Sequence, residues 1–174
     1  MKEEKIVAER LILRHFRLDD AEEMFSNWAN DPDVTKYMTW LPHEDISVTK
    51  SILNLWIKEY EKPETHRFGI TLKESGELIG SIDVVNYVDG VPEIGYCSAK
   101  KCWNKGYMTE ACKAFIEYLF DLGFNEIVIE AHVDNIGSNR VIQKCGFKFT
   151  HKETRPISEV RPELVTVNWY KITK

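Results

Sequence analysis

A loop with one glycine and several cations lies where a strand-like run gives way to a strongly amphipathic helix: Trp103-Asn104-Lys105-Gly106-Tyr107-Met108-Thr109-Glu110-Ala111. Upstream, Glu93-Ile94-Gly95-Tyr96-Cys97 reads as a strand, and downstream Ala111, Phe115, Leu119 and Leu122 recur at helical spacing. Such a junction leaves backbone N–H groups unpaired at the positive end of a helix dipole, which suits phosphate or another anion. Lys100, Lys101 and Lys105 crowd the same place, as a ligand with several phosphates would want. The absence of a Gly-x-x-x-x-Gly-Lys-Ser/Thr run argues against an ATP-binding P-loop.

Other reactive side chains are dispersed. Cys97, Cys102, Cys112 and Cys145 show neither C-x-x-C spacing nor a paired framework, and read as reduced, mostly packing thiols. His15, His43, His66 and His151 are too scattered to argue for metal, and no metal site is assigned. With 174 residues, 43% apolar and 29% charged, the chain has the size and balance of one soluble domain. The start lacks an apolar leader core and no apolar run approaches bilayer length, which points to a cytosolic protein. A net charge of −5 argues against a general nucleic-acid binder and suits a cationic partner.

The elements that must position the loop follow from periodicity. Residues 10–16 read as a strand; Asp19-Asp20 then supplies an N-cap for a helix through Met24, Phe25 and Trp28, ended by Asn30-Asp31-Pro32. A second helix begins after Asp45 or Ser47, buries Ile52, Leu55, Trp56 and Tyr60, and stops before Pro63. Between these helices, residues 35–42 are aromatic and irregular. They either line a substrate cleft or, more commonly for such a loop, pack over a core edge. Strand-like runs at 67–72, 78–87 and 92–97 are separated by short turns, which implies three adjacent antiparallel strands. Residues 126–132 form a strand after the loop's helix, so a βαβ crossover makes it parallel to the strand before. A short helix at 138–144 ends at Gly146, and two strands follow, at 147–153 and 164–172, joined by a loop with Pro156 and Pro162. The fold class is therefore α+β, a mixed and mostly antiparallel sheet of about seven strands flanked by helices in a three-layer arrangement, in one domain.

This order, with the glycine loop after the fourth strand and Asn135-Ile136-Gly137-Ser138-Asn139-Arg140-Val141-Ile142-Gln143-Lys144-Cys145-Gly146-Phe147 after the fifth, resembles the GNAT superfamily of acetyl-CoA-dependent N-acetyltransferases. More narrowly, Glu9-Arg10-Leu11-Ile12-Leu13-Arg14, Glu93-Ile94-Gly95-Tyr96 and Gly106-Tyr107-Met108-Thr109-Glu110-Ala111 look like the RimJ/RimL ribosomal-protein N-terminal acetyltransferase type. The resemblance implies acetyl-CoA as co-substrate, with its pyrophosphate on the amides of Lys105 to Met108, flanked by Trp103, Asn104 and Thr109. Pantetheine would lie in a splay beside Cys97 and Ser98. The family loop usually reads Arg/Gln-x-x-Gly-x-Gly/Ala; here Trp103 and Met108 hold its first and last places, and Met108 brings bulk where backbone should approach phosphate.

Direct transfer to an amine needs a base, an oxyanion donor and a proton for the leaving thiolate. Glu93 is the candidate base, His132 the less favoured one. Alternation places Glu93 and Gly95 on one strand face, Ile94 and Tyr96 on the other. A backbone N–H between 93 and 98, freed by a bulge, is the oxyanion donor that the resemblance implies. Many family members place a tyrosine seven residues after the motif asparagine, where this chain has Ile142. Ser138 then either hydrogen-bonds the thiolate or caps its helix. Asn135 either binds the pantetheine arm, as the resemblance implies, or makes an Asx-turn. Arg140 and Lys144 either reach the adenine-ribose end or are solvated helix charges. The acceptor is a primary amine, with a protein or peptide α-amine favoured by the resemblance over an amino acid, polyamine or aminoglycoside. Asp31, Asp33, Glu44 and Asp45 could attract it, or serve as caps and surface. A non-catalytic CoA-binding module is the alternative outside enzymology. The oligomeric state is open, a homodimer included.

Overall fold

The structure, a computed structural model, describes residues 4–174. Eight strands form one open sheet in the order β1-β2-β3-β4-β5-β6-β8-β7. They are β1 (Lys5–Val7), β2 (Leu11–Arg14), β3 (Arg67–Leu72), β4 (Leu78–Val88), β5 (Val91–Ser98), β6 (Glu126–His132), β7 (Lys148–Pro156) and β8 (Leu164–Thr173). The eighth, beyond the expected seven, is β1, which pairs antiparallel with β2 over three residues. With only Ile6 on its inner side, it carries too little alternation to be read as a strand from sequence. Only β5 and β6 run parallel, as the crossover through a helix requires.

The helices are α1 (Ala21–Met24), α2 (Pro32–Thr35), α3 (Ile46–Glu59), α4 (Tyr107–Asp121) and α5 (Ile136–Lys144). One face of the sheet packs Ala111, Phe115 and Leu119 of α4 and Ile142 of α5 against Ile94, Ile127 and Ile129. The other carries Met24, Trp28 and Leu53 from the α1 and α3 side over Leu78. Two expected burials fail: Leu55 and Leu122 are exposed, because Leu53 and Thr49 supply the fully buried positions of α3 and Leu122 follows the last turn of α4.

The first helical segment departs from its expected cap. Asp20 closes a 3-10 turn, Leu18–Asp20, accepts the Arg17 N–H at 2.7 Å, and receives both guanidinium arms of Arg14 at 2.9 and 2.7 Å. Asp20 is thus a buried acceptor at the third position of the turn, and α1 widens after it into a π-type turn, Phe25–Ala29. Removing Asp20 takes the acceptor from two half-buried Arg14 bonds and from the Arg17 amide, while Arg14 Nη1 keeps its bond to the His15 carbonyl at 3.0 Å. Asp20→Ala is expected to lower unfolding free energy by about 3 kcal/mol, measured by urea titration, whereas Asp20→Asn keeps an acceptor and costs less. A loss under about 0.5 kcal/mol, the range of an ordinary surface change, would show that this clamp contributes little.

Candidate active site

β5 pairs along most of its length with β4, but with β6 only where Glu93 meets Val128. Beyond that point the two parallel strands diverge. The Ala99 N–H bonds the Ile79 carbonyl of the β4 side at 2.8 Å. By the alternation of an antiparallel ladder, the Cys97 and Gly95 amides also face β4, while those of Tyr96 and Ser98 face the opening toward β6. The bulge expected on this strand lies on its neighbour: β4 carries the extra residue, Val85, opposite Glu93 and Ile94. The amides aimed at the opening are freed by divergence from β6.

Two cavities open from the divergence. The larger, about 710 Å³, is the cradle side. After β5 comes a 3-10 turn, Lys100–Cys102, and the Trp103 indole N–H holds the Ser98 carbonyl at 3.0 Å, folding the loop back on the strand end. Asn104 (φ 60°) and Gly106 (φ 79°) are both left-handed, and Gly106 is the N-cap of α4 with no side chain capping it. The first amide to close an α-helical bond is that of Glu110, on the Gly106 carbonyl at 3.1 Å. The amides of Tyr107, Met108 and Thr109 therefore stand at the free end of the helix. Arg10 buttresses the loop: its backbone N–H and Nε reach Glu110 at 2.6 and 2.8 Å, Nη1 reaches the Lys105 carbonyl at 3.0 Å, and its guanidinium lies 4.5 Å from the Tyr107 ring centre.

Of the residues singled out from sequence, Cys97, Ser98, Trp103, Asn104, Gly106, Tyr107, Met108, Thr109, Asn135, Ser138, Arg140 and Lys144 all line this cavity, and Lys105 does not. Lys105 contributes its carbonyl to Arg10 instead. Met108 is half-buried: it packs in part against the core and still lines the cavity. Of the lysine cluster, Lys100 lines the cavity, while Lys101 and Lys105 do not. Lys101 is paired with Glu77, away from the cavity, and Lys100 holds Asp33 at 2.5 Å, which keeps that exposed carboxyl below its usual range.

The second cavity, about 410 Å³, lies on the opposite face of β5. Register puts Ser81, Asp83, Glu93, Gly95, Cys97, Glu130 and His132 on this face. Four aromatic side chains, Trp28, Tyr37, Trp40 and Trp56, form much of the apolar wall. The irregular loop 35–41 does line the cleft, and Tyr37 and Met38 touch both cavities. Three carboxylates face the chamber. Asp83 is bound by Arg67 at 3.0 Å, and burial still pushes its carboxyl up. Glu130 is paired with Arg155 through one oxygen, while the other is buried without a protein partner. Glu93 is raised first by burial and then by the charge of Glu130, against the opposing Asn86 amide at 3.4 Å and Arg155. Glu130 and Asp83 were not singled out from the sequence, although alternation along β4 and β6 gives the signal that finds them. Of the four acidic residues named as attractors of the amine, Asp31 and Asp45 cap α2 and α3 by accepting from Asp33 and Ser47 at 2.9 and 2.7 Å, Asp33 pairs with Lys100, and Glu44 is exposed.

Tyr96, Cys97, Asn135 and Ser138 line both cavities and mark where they meet. Asn135, not Ser138, is the N-cap of α5, its Oδ1 accepting the Ser138 N–H at 3.2 Å. That frees the Ser138 hydroxyl, which lies 3.0 Å from the Tyr96 phenol. Burial holds that phenol far above its ordinary pKa, so it is neutral. Ile142 is fully buried in the core, so the family tyrosine position is here a packing position, while Tyr96 brings a phenol to the junction from β5. The Cys97 thiol, pushed up to about 12 by burial, is not a thiolate at neutral pH. His132 accepts the Asp134 N–H on Nδ1 at 3.0 Å. The neutral ring then carries its proton on Nε2, which makes that nitrogen a donor and disfavours His132 as a base.

The acetyltransferase (GNAT) domain family matches residues 10–148, and the chain belongs to that family. It is 30% identical over 176 residues to the uncharacterized N-acetyltransferase p20 of Bacillus licheniformis, covering 98% of this chain and 97% of the relative. Among solved structures, it resembles the microcin C7 self-immunity acetyltransferase MccE in complex with acetyl-CoA and AMP, with TM-score 0.83, 22% identity, and 95% and 93% of the two chains covered. It likewise resembles RimL, a ribosomal L7/L12 α-N-protein acetyltransferase, in complex with coenzyme A, with TM-score 0.84, 18% identity and 98% of each chain covered. These two likenesses carry the fold. Among the described residues, no helix is long and apolar enough to cross a membrane.

Gly106 is the residue whose backbone the cradle requires. Its φ of 79° is strained for any L side chain, and an added Cβ would meet Arg10 Nη2 at 3.3 Å. Gly106→Ala is expected to weaken acetyl-CoA binding roughly tenfold, from about 1–2 kcal/mol of left-handed strain relieved by moving the amides. Calorimetric titration checks this, and an unchanged Kd would place the ligand elsewhere.

Proposed function

We propose that this chain moves the acetyl group of acetyl-CoA directly onto a primary amine in a ternary complex, with a protein or peptide α-amine as the favoured acceptor. The observation that carries the reading is the meeting of an anion cradle and a carboxylate-lined chamber at Tyr96, Cys97, Asn135 and Ser138. Diphosphate rests on the amides at the start of α4, near Asn104 and Gly106, with Arg140 and Lys144 toward the adenosine end. The pantetheine arm runs through the divergence past Ser98, with the Asn135 amide N–H₂ available to it. The thioester carbonyl then points at the Tyr96 and Ser98 N–H groups, which stabilise its oxyanion without reorganisation.

On the chamber side, Glu93 accepts the amine proton, directly or through one water. Its raised affinity for protons makes it a better base than a solvated carboxylate, and Asp83 and Glu130 favour a cationic acceptor. When the tetrahedral intermediate collapses, the Ser138 hydroxyl, itself held by neutral Tyr96, hydrogen-bonds the departing thiolate. Because a thiol near about pKa 8.5 leaves readily, this bond suffices without a strong acid. Transfer is direct, and the Cys97 thiol, whose pKa burial raises, stays protonated beside it. A small-molecule amine is the second reading, favoured by the chamber's volume, which falls in the range of small-ligand sites.

Thiol release from acetyl-CoA, with mass detection of the acetylated product, across free-α-amine peptides, amino acids and polyamines tests the reading; tight acetyl-CoA binding with no turnover on any amine would sink it. Glu93→Gln is expected to reduce kcat roughly a hundredfold and to remove the acidic limb of its pH profile, a limb displaced above the ordinary carboxylate range. A carboxyl whose pKa is raised on folding favours the fold below its unfolded pKa and loses that contribution as pH rises through the folded one. The neutral amide introduced by Glu93→Gln should therefore not lower Tm at pH 7.5, so a lost activity accompanied by a lower Tm would point to misfolding instead. Ser138→Ala is expected to lower kcat about tenfold with little change in acetyl-CoA Kd, in keeping with the loss of one hydrogen bond to a charged group; an unaltered kcat would remove Ser138 from the chemistry.

A further inference from the structure

The wall of the acceptor chamber formed by residues 36–41 has no sheet or helix of its own. Its shape is set from across the chain. Arg161, in the loop between β7 and β8, sends Nη1 to the carbonyls of Thr35 at 2.9 Å, Met38 at 2.8 Å and Lys36 at 3.3 Å, and Nη2 to the same Lys36 carbonyl at 3.3 Å. These are the carbonyls at and just beyond the last turn of α2, where a cation is favoured; that of Thr35 also accepts the Met38 N–H at 2.9 Å. The guanidinium is itself steered by Glu163 at 3.0 Å, and only 16% of its side chain is exposed. Beside it, the Ser158 hydroxyl donates to the Thr39 carbonyl at 2.7 Å. At the far end, the Tyr37 phenol reaches the Asp134 carbonyl at 3.3 Å and its ring lies 4.9 Å from that of His132.

The segment so fastened supplies Tyr37 and Met38 to both cavities and Trp40 to the chamber, and the loop that fastens it supplies Ile157 to the same chamber. We propose that Arg161 is a positioning residue for the acceptor: its fork fixes the aromatic wall at the height that seats the amine over Glu93, so the β7–β8 loop selects the acceptor. The inference rests on the amine-acetylation reading. A lysine cannot replace the fork, because one ammonium on a flexible stem does not span three carbonyls in fixed directions. Arg161 itself lines neither cavity, and none of its side-chain bonds reaches the Gly106 loop, α4 or α5, so the effect on the acceptor should exceed that on acetyl-CoA even though Tyr37 and Met38 touch both cavities.

The test uses the full chain with Arg161→Ala, Arg161→Lys and the milder Ser158→Ala. The acceptor probes are a peptide with a free α-amine and spermidine, and the working probe is whichever the unaltered protein acetylates. Both Arg161 variants are expected to raise the acceptor KM roughly tenfold or more, as the loss of binding shared by ground and transition states does, with acetyl-CoA Kd and kcat changed less than about threefold. Ser158→Ala shifts KM the same way by less. Hydrogen exchange is read in parallel, and amides within 36–41 should lose protection in Arg161→Ala while those of α4 do not. An unchanged acceptor KM in both Arg161 variants, or equal losses in KM and acetyl-CoA Kd, overturns the proposal. If the unaltered protein acetylates neither probe, the amine reading is what has failed, and the exchange experiment decides alone: unchanged protection across 36–41 overturns the positioning role.

Discussion

Everything distinctive in this molecule depends on two parallel strands that stop pairing. A right-handed crossover through α4 brings β6 beside β5, yet only Glu93 and Val128 are in register. Had the pairing continued, the amides of Tyr96 and Ser98 would be spent on β6 carbonyls and no passage would join the two faces of the sheet. Divergence leaves donors directed into a gap, an arrangement that costs stability unless a ligand or water satisfies them. In the function proposed above, the acyl group of the thioester enters this gap and meets those donors.

Because successive side chains on a strand point to opposite faces, β5 serves two environments at once. Glu93, Gly95 and Cys97 face the acceptor chamber with Asp83 and Ser81 of β4, while Ile94 and Tyr96 face the α4 and α5 layer. Tyr96 bridges the two roles, packed against core side chains yet ending on the Ser138 hydroxyl at the junction. The bulge at Val85 falls opposite Glu93, where it bends β4 around the chamber. Electrostatics follow this division: free helix amides and Arg140 and Lys144 on the cradle side, carboxylates on the other. That polarity suits an anionic donor and a cationic acceptor approaching from opposite faces.

Much of this was legible from sequence because it is local. The spacing of Ala111, Phe115 and Leu119 fixes the buried face of α4, and Gly106 just before it marks the left-handed entry. The strands at 67–72 and 126–132 coincide with the structure, since alternation and β-branched residues bound them sharply. Illegible were the partners of charged groups. Lys101 looks like a cradle cation until Glu77 is brought to it over 24 residues of sequence, and Lys100, which does line the cradle, is paired there with Asp33 from 67 residues away. Asp20 reads as a helix cap until Arg14 folds back on it, and β1 has too few apolar positions to announce itself.

Periodicities within about ten residues are enough to specify the order of elements, the one parallel crossover, the loop that ends in exposed amides and the side of β5 on which Glu93 stands. Three-dimensional packing was needed to settle which amides stay unpaired, that Asn135 takes the cap and frees Ser138, and that Arg161 clasps the aromatic wall from more than 120 residues away. The reason is physical: a backbone's local preferences are set by neighbours along the chain, whereas the protonation and direction of a polar group are set by whatever packing brings within about 3 Å of it.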